Sequence, residues 1–192
     1  MILGITGGTG CGKTTLLELI RELGGLVIDC DDVYHKLLQT DTQLLDSIEA
    51  QFPGTVEQGR LQRKKLGALV FADPAALEKL NEITHSAVKQ EVCKLLSPPP
   101  QLAAIDAIGL FESGLDKLCK LTVAVTAPEE QRIARLMARD GIDEAYALSR
   151  IRAQHSSEEF SALCDYTLVN DGTKEQFREK CLVFLRDLGI IR

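Results

Sequence analysis

A glycine-rich run near the N-terminus, Gly4-Ile-Thr-Gly-Gly-Thr-Gly-Cys-Gly-Lys-Thr-Thr15, constrains this chain more than any other stretch. Gly7, four residues, then Gly12-Lys13-Thr14 spell the G-x-x-x-x-G-K-[ST] phosphate-binding pattern. Such a loop turns backbone N–H groups around a polyanion, and glycine removes the Cβ that would obstruct this. Lys13 is placed to reach the β/γ-phosphates and the Thr14 hydroxyl to take a position on Mg²⁺. The flanks agree. Met1 to Thr6 reads as a short buried strand, and Leu16, Leu17, Ile20 and Leu23 follow with helical spacing until Gly24-Gly25. Strand, glycine loop and helix together aim a helix N-terminus at phosphate.

The expected fold follows from the rest of the pattern. Leu26-Val-Ile28 reads as a second buried strand ending in Asp29-Cys30-Asp31-Asp32. If the strand continues, alternation puts Asp29 and Asp31 on one face, and Asp32 is the better candidate for a helix cap. Residues 41–96 read as mostly helical, broken at Gln51-Phe-Pro-Gly54. Within them Arg60, Arg63, Lys64 and Lys65 crowd the start of a helix, where cations oppose the macrodipole unless an anion joins them. Leu102–Asp106 is a third strand with an acid at its end, where P-loop proteins keep a carboxylate near Mg²⁺, and Glu112 falls close to the same edge. Leu121–Val125 and Tyr166–Asn170 are the fourth and fifth strands. Between them lies a helical hairpin carrying Arg132, Arg135 and Arg139 on one face, beside Ile133, Leu136 and Met137. A final helix opens with the capping box Thr173-x-x-Gln176.

The expectation is therefore an α/β protein, a three-layer P-loop NTPase fold with a five-stranded parallel sheet. Residues 1–38 and 100–192 form its nucleotide-binding core, residues 39–99 a helical substrate-binding insertion, and residues 127–155 a helical lid. In an open α/β sheet, ligands sit at the carboxyl ends of the strands, where the glycine loop and the acids fall.

Charge and cysteine usage narrow the function. A formal net charge of −6 leaves no general basic field, so nucleic acid is not an expected partner, and local cations must meet any phosphorylated ligand. No apolar run approaches the roughly 18 residues that span a bilayer. The glycine loop also begins where the apolar part of a cleavable signal would continue, so the expected compartment is the cytoplasm. No obligate protein partner is indicated. The six cysteines are scattered without a C-x-x-C pair, which argues against zinc and a disulfide framework. Cys11, beside Lys13 and a helix N-terminus, is the one whose setting is expected to lower the thiol pKa and invite oxidation.

A phosphate loop alone names a ligand, not a reaction, and two classes compete: a small-molecule kinase and a GTPase-type switch. Asp106-Ala-Ile-Gly109 matches the D-x-x-G element of switches, but no N-K-x-D guanine-reading element follows. A helical insertion and an arginine-lined hairpin suit a kinase that encloses its acceptor from water.

Several collinear motifs carry a more specific resemblance. The loop Gly4 to Thr14, Ile28-Asp-Cys-Asp31, Gly59 with Arg63-Lys-Lys-Leu66, Val70-Phe-Ala-Asp-Pro74 and Leu80-Asn-Glu-Ile-Thr-His85 resemble the dephospho-CoA kinase family. So do Leu110-Phe-Glu112, Arg132-x-x-Arg135-Leu-Met-Ala-Arg139-Asp-Gly141, Arg150-Ile-x-Ala-Gln154 and Asn170-Asp-Gly172. The resemblance implies a phosphotransferase with an alcohol acceptor, one that moves a phosphoryl group from ATP to the ribose 3′-hydroxyl of dephospho-CoA in the last step of coenzyme A synthesis. Thr9, Gly10, Cys11, Gly12, Lys13 and Thr14 would bind ATP phosphates, with Thr14 and Asp106 toward Mg²⁺. Asp31 would be the general base, Arg135 and Arg139 phosphate clamps on the lid, and Asn170 a neighbour of the adenine. Asp29, Arg63 and His85 would lie on the acceptor side. Which of Asp29, Asp106 and Glu112 orders the metal's waters stays open. Ser86 stands where the family commonly has proline and Ile108-Gly109 where it commonly has Pro-Leu, departures that leave the reacting groups intact.

Overall fold

The computed structural model describes residues 1–191. Five strands, β1 (Ile2–Thr6), β2 (Leu26–Asp29), β5 (Ala103–Asp106), β6 (Leu121–Thr126) and β7 (Tyr166–Val169), form one sheet in the order β2-β5-β1-β6-β7. β1 pairs in parallel with β5 and β6, and β6 with β7. The central strand is thus the one that runs into the glycine loop. The chain leaves β1 toward one side of the sheet and later returns on the other, which opens a crevice at the carboxyl end of β1.

Burial explains the layers. β1, β5 and β6 are almost wholly enclosed, as strands covered on both faces must be. On one face Leu3, Ile5, Ala104, Val123 and Val125 meet Leu16, Leu17, Leu19 and Ile20 of α1 (Lys13–Glu22), with Phe177, Cys181, Phe184 and Leu185 of α9 (Lys174–Asp187). α9 opens with both arms of the Thr173–Gln176 capping box in place. On the opposite face, a Cβ at Gly4 would lie 2.8 Å from both the Cys119 sulfur and a Leu110 methyl. β2 departs from expectation. It is an edge strand, so Leu26 is exposed and Ile28 is its only buried residue.

Two further helices make the arginine hairpin, α6 (Glu129–Asp140) and α7 (Glu144–Arg152), around a small core of Leu136, Ala147 and Ile151. Gly141, at φ 65°, turns the chain between them. Met137, expected on the apolar face, is exposed. α8 (Ser157–Leu163) was not anticipated, although its signature is in the sequence: Ser156-x-x-Glu159 is a second complete capping box.

The chain divides into two compact units, residues 1–27 with 100–192, and residues 28–99. The second unit therefore takes in the segment 28–38, which the sequence reading gave to the core. It holds α2 (Cys30–Thr40), α3 (Thr42–Gln51), α4 (Arg63–Val70) and α5 (Pro74–Leu95). Its interior is built from Val33, Leu37, Leu44, Ile48, Leu66, Val70, Val88 and Val92. Between α3 and α4 the irregular turn contains a short hairpin, β3 (Val56–Glu57) and β4 (Arg60–Leu61). Gln58 and Gly59 both take positive φ at its tip, the geometry of a two-residue hairpin turn. The Glu49 carboxylate ties this segment down by accepting from the backbone N–H groups of Gly54 and Val56, at 2.6 Å each. Among the described residues, no helix is long and apolar enough to cross a membrane.

Candidate functional site

The phosphate loop is shaped by side chains that seize its carbonyls. Arg132 Nε donates to Thr9 O at 2.9 Å, Arg135 Nη1 to Gly10 O at 3.2 Å, and Asn170 Nδ2 to Cys11 O at 2.9 Å. In a planar trans peptide the C=O and the following N–H point in opposite directions. Drawing three consecutive carbonyls toward the protein therefore turns the N–H groups of Gly10 and Gly12 the other way. Cys11 N–H instead closes a turn onto Gly8 O at 3.3 Å. α1 then begins at Lys13 with Gly12 as its cap and no side-chain acceptor for its first-turn N–H groups. A helix start left without a capping side chain is ready for an anion.

Gly12 cannot be replaced here. Its φ is 94°, and a Cβ would come within 2.3 Å of Asn170 Nδ2. The obstruction is thus a protein group packed on the loop, not only the phosphate the sequence suggests. Lys13 Nζ donates to Gly7 O at 2.8 Å and lies 3.8 Å from Asp106 Oδ1, at the end of β5. Thr14 is exposed in the first turn of α1.

Three of the expected residues have local settings that the sequence did not show. Thr9 was expected among the residues that bind phosphate, and its N–H donates to Gln154 Oε1 at 2.8 Å. Asn170, expected as a neighbour of the adenine, has its amide engaged at both ends, since Oδ1 accepts from Arg135 Nη2 at 3.2 Å. Cys11 was expected to have a lowered thiol pKa. The residue is 2% exposed, and burial pushes its thiol pKa up against the opposing pull of Arg132 and Lys13. The sequence showed the nearby charges but not the low-dielectric surroundings that outweigh them.

The hairpin arginines differ by depth. Arg132 is 3% exposed, Arg135 is half-buried, and Arg139 is exposed at the far end of α6. Arg139 forms a bidentate pair with Asp140, Nε to Oδ1 at 2.6 Å and Nη2 to Oδ2 at 3.0 Å. Arg150 of α7 joins the same carboxylate at 2.6 Å. These two cations hold the Asp140 carboxyl down at about 2. Arg132 and Gln154 were not singled out as site residues, although both stood inside the motifs; what hid them is that burial cannot be read from spacing. His155, just beyond, bridges Glu112 at 2.7 Å and Glu159 at 3.7 Å.

The second unit carries the remaining candidates. α2 begins directly at Cys30, so Asp31 lies in the first helical turn and the strand alternation expected for Asp29 and Asp31 does not apply. The reason is local: Asp29, not Asp32, is the cap, accepting from the N–H groups of Asp31 at 2.9 Å and Asp32 at 3.2 Å. That leaves the Asp31 carboxylate exposed at a helix N-terminus. Arg63 starts α4 and, with Arg60, Gln39 and Gln58, lines a cavity of about 500 Å³. It also lowers the Tyr34 phenol, though burial pushes that group upward overall. Lys65 is paired with Glu57. His85 lies half-buried on α5.

Comparison with known proteins places this arrangement. A family model described as dephospho-CoA kinase matches residues 1–176. A dephospho-CoA kinase of Syntrophotalea carbinolica is 36% identical over 194 residues, covering 98% of this chain and 92% of its own. The crystal structure of a Thermus thermophilus protein superposes with a TM-score of 0.81 at 33% identity, covering 98% of this chain and 97% of that one. A dephospho-CoA kinase structure from Campylobacter jejuni gives 0.69 at 25% identity, covering 97% and 96%. With its five-stranded parallel sheet, its phosphate loop and a match that runs nearly end to end, this chain belongs to the dephospho-CoA kinase family.

Proposed function

We propose that this protein transfers the γ-phosphoryl group of ATP to the ribose 3′-hydroxyl of dephospho-CoA, forming coenzyme A in the cytoplasm. The observation that carries the reading is the family match across residues 1–176, with the lysine, hydroxyl and loop geometry of the donor site intact. ATP phosphates would lie against the N–H groups of Gly10 and Gly12 and the first turn of α1, with Lys13 reaching the β/γ-oxygens.

Mg²⁺ suits the groups present. Thr14 is exposed in the first turn of α1 and Asp106 Oδ1 lies 3.8 Å from Lys13 Nζ, so these two would supply the protein's share to an ion held largely by nucleotide oxygens and water. When bound, the ion would neutralise charge on the β/γ-phosphates.

Asp31 is assigned as the general base. Its carboxylate is exposed, whereas that of Asp29 is committed to capping α2. A ribose hydroxyl is too weak an acid to ionise before attack, so Asp31 orients it and accepts its proton as the P–O bond forms. Negative charge on the transferring group is met by Lys13 and by Arg139, which must exchange its pairing with Asp140 to do so. Arg135 is assigned to holding Gly10 and Asn170 in place. The cavity lined by Arg60 and Arg63 would take the acidic part of the acceptor, with His85 in the same unit.

The test is a coupled assay of ADP release with dephospho-CoA, adenosine, shikimate and gluconate as acceptors. Turnover with dephospho-CoA alone is the expected result. Turnover with another acceptor, or GTP hydrolysis without any acceptor, would replace this reading.

A further inference from the structure

Arg132 is the most deeply buried charged side chain the site contains. It is 3% exposed, and its Nη2 atom is enclosed with no hydrogen-bond partner among the described residues. Burying a guanidinium with a donor unsatisfied costs free energy that an apolar residue in its place would not. What it does is visible in its remaining contacts. Nε donates to Thr9 O, while Gln154, which follows α7, accepts from Thr9 N–H. Both backbone groups of the residue at the apex of the phosphate loop are thus taken by side chains of the hairpin. The chain also packs as closely as it can there. A Cβ at Gly8 would lie 2.2 Å from Arg132 Nη2 and 2.9 Å from Cζ, and one at Gly10 would lie 3.0 Å from the Arg132 carbonyl oxygen. Gly8 has no left-handed backbone to require glycine. Its missing side chain makes room for the guanidinium.

We propose that Arg132 and Gln154 are positioning residues that latch the apex of the phosphate loop to the arginine hairpin, with Gly8 as the steric seat of the latch. They act on nucleotide affinity through the loop's shape, and no phosphate contact from Thr9 is involved. Fixing Thr9 at both ends removes freedom that the loop would otherwise lose on binding a polyphosphate. The latch also links the loop to the hairpin, so any motion of α6 and α7 is felt at Thr9. The latch rests on the loop binding MgATP and not on the identity of the acceptor.

The experiment measures MgATP dissociation constants by calorimetry and steady-state kinetics for Arg132→Met, Gln154→Met, Gly8→Ala and the double variant Gly8→Ala/Arg132→Met. Methionine keeps the buried stem and ends before Cζ. The expected result for Arg132→Met is roughly tenfold weaker MgATP binding and a matching rise in the KM for ATP, equivalent to ~1.4 kcal/mol. Changes of less than about threefold are expected in kcat and in the acceptor KM. Gly8→Ala alone should reproduce that loss by expelling the guanidinium, and should add little in the Arg132→Met background, because its obstacle is gone. The proposal is overturned by MgATP binding within about twofold of wild type in Arg132→Met. It is equally overturned if Gly8→Ala costs the same factor in both backgrounds, or if the loss falls in kcat with affinity unchanged. Wild-type protein that binds MgATP but ignores dephospho-CoA would overturn the proposed acceptor instead, and calorimetry would still decide the latch.

Discussion

Replacing Asn170 with alanine should unfold the protein at a lower temperature even when no nucleotide is present. Asn170 is 6% exposed, its Nδ2 bonded to Cys11 O at 2.9 Å and its Oδ1 to Arg135 Nη2 at 3.2 Å. Alanine strands the Cys11 carbonyl in a buried place, which costs about 1–3 kcal/mol. Losing the Arg135 contact adds roughly 0.5–1 kcal/mol, the smaller figure because Arg135 keeps Gln131 and Gly10. Gly12 gains nothing in return, since its φ of 94° is set by the loop and not by the amide.

The sum is about 1.5–4 kcal/mol, and in a chain of this size each kcal/mol moves Tm by roughly 2–4 °C. The expected fall is therefore on the order of 10 °C, read by scanning calorimetry without ligand. Asn170→Asp keeps an acceptor for Arg135 but loses the donor to Cys11, so it should also be destabilised. A residue that served only to face the adenine would behave otherwise, leaving the unliganded Tm alone and weakening ATP more than GTP. An Asn170→Ala Tm within about 2 °C of wild type refutes the positioning argument.

Four further outcomes test other parts of the structure. Asp31→Asn should lower kcat by roughly 10² to 10⁴ with the KM for ATP little changed, the usual scale for removing a general base; near-wild-type turnover removes Asp31 from that role. Asp29→Ala should lower stability by about 1 kcal/mol through the lost α2 cap, with Asp29→Asn close to wild type, both measured by urea denaturation; an alanine variant as stable as the asparagine one would sink the capping assignment. In thiol mapping by mass spectrometry at pH 8, exposed Cys93 should be alkylated well before Cys11, whose thiol is raised by burial, and early labelling of Cys11 would contradict its placement. Burial also pushes Cys119 and Cys181 up to about 12 and Cys164 to about 11. A thiol raised in the folded state contributes stability that is fully present below its unfolded pKa of ~8.5 and is lost as pH rises toward the folded value. Stability should therefore decline above about pH 8.5, and Cys181→Val should flatten that decline; an unchanged slope would contradict it.

How far the site could be read from sequence depends on what each residue's signal consists of. The loop is legible because its function is a spacing, and spacing is what a sequence records: Gly7, Gly12, Lys13 and Thr14 fall where the pattern says. The sheet was legible for the same reason, each enclosed strand being a short apolar run. The errors share a different cause. Asp29 and Asp31 were read as continuing a strand, but one side-chain oxygen accepting two backbone N–H groups ends β2 and starts α2 at once. The arginines of α6 were correctly placed on one face, yet a helical face has depth as well as direction. Going from residue 132 to 135 to 139, the same stripe passes from the underside of the loop to solvent. Arg132 and Arg135 therefore bond the loop's carbonyls, while Arg139 is exposed and pairs with Asp140. One periodic motif thus divides into two groups that hold the loop and one exposed cation paired with its neighbour. What divides it is the distance of each turn from Thr9 and Gly10, a quantity set by the tertiary placement of the α6–α7 hairpin against the loop and absent from the local sequence.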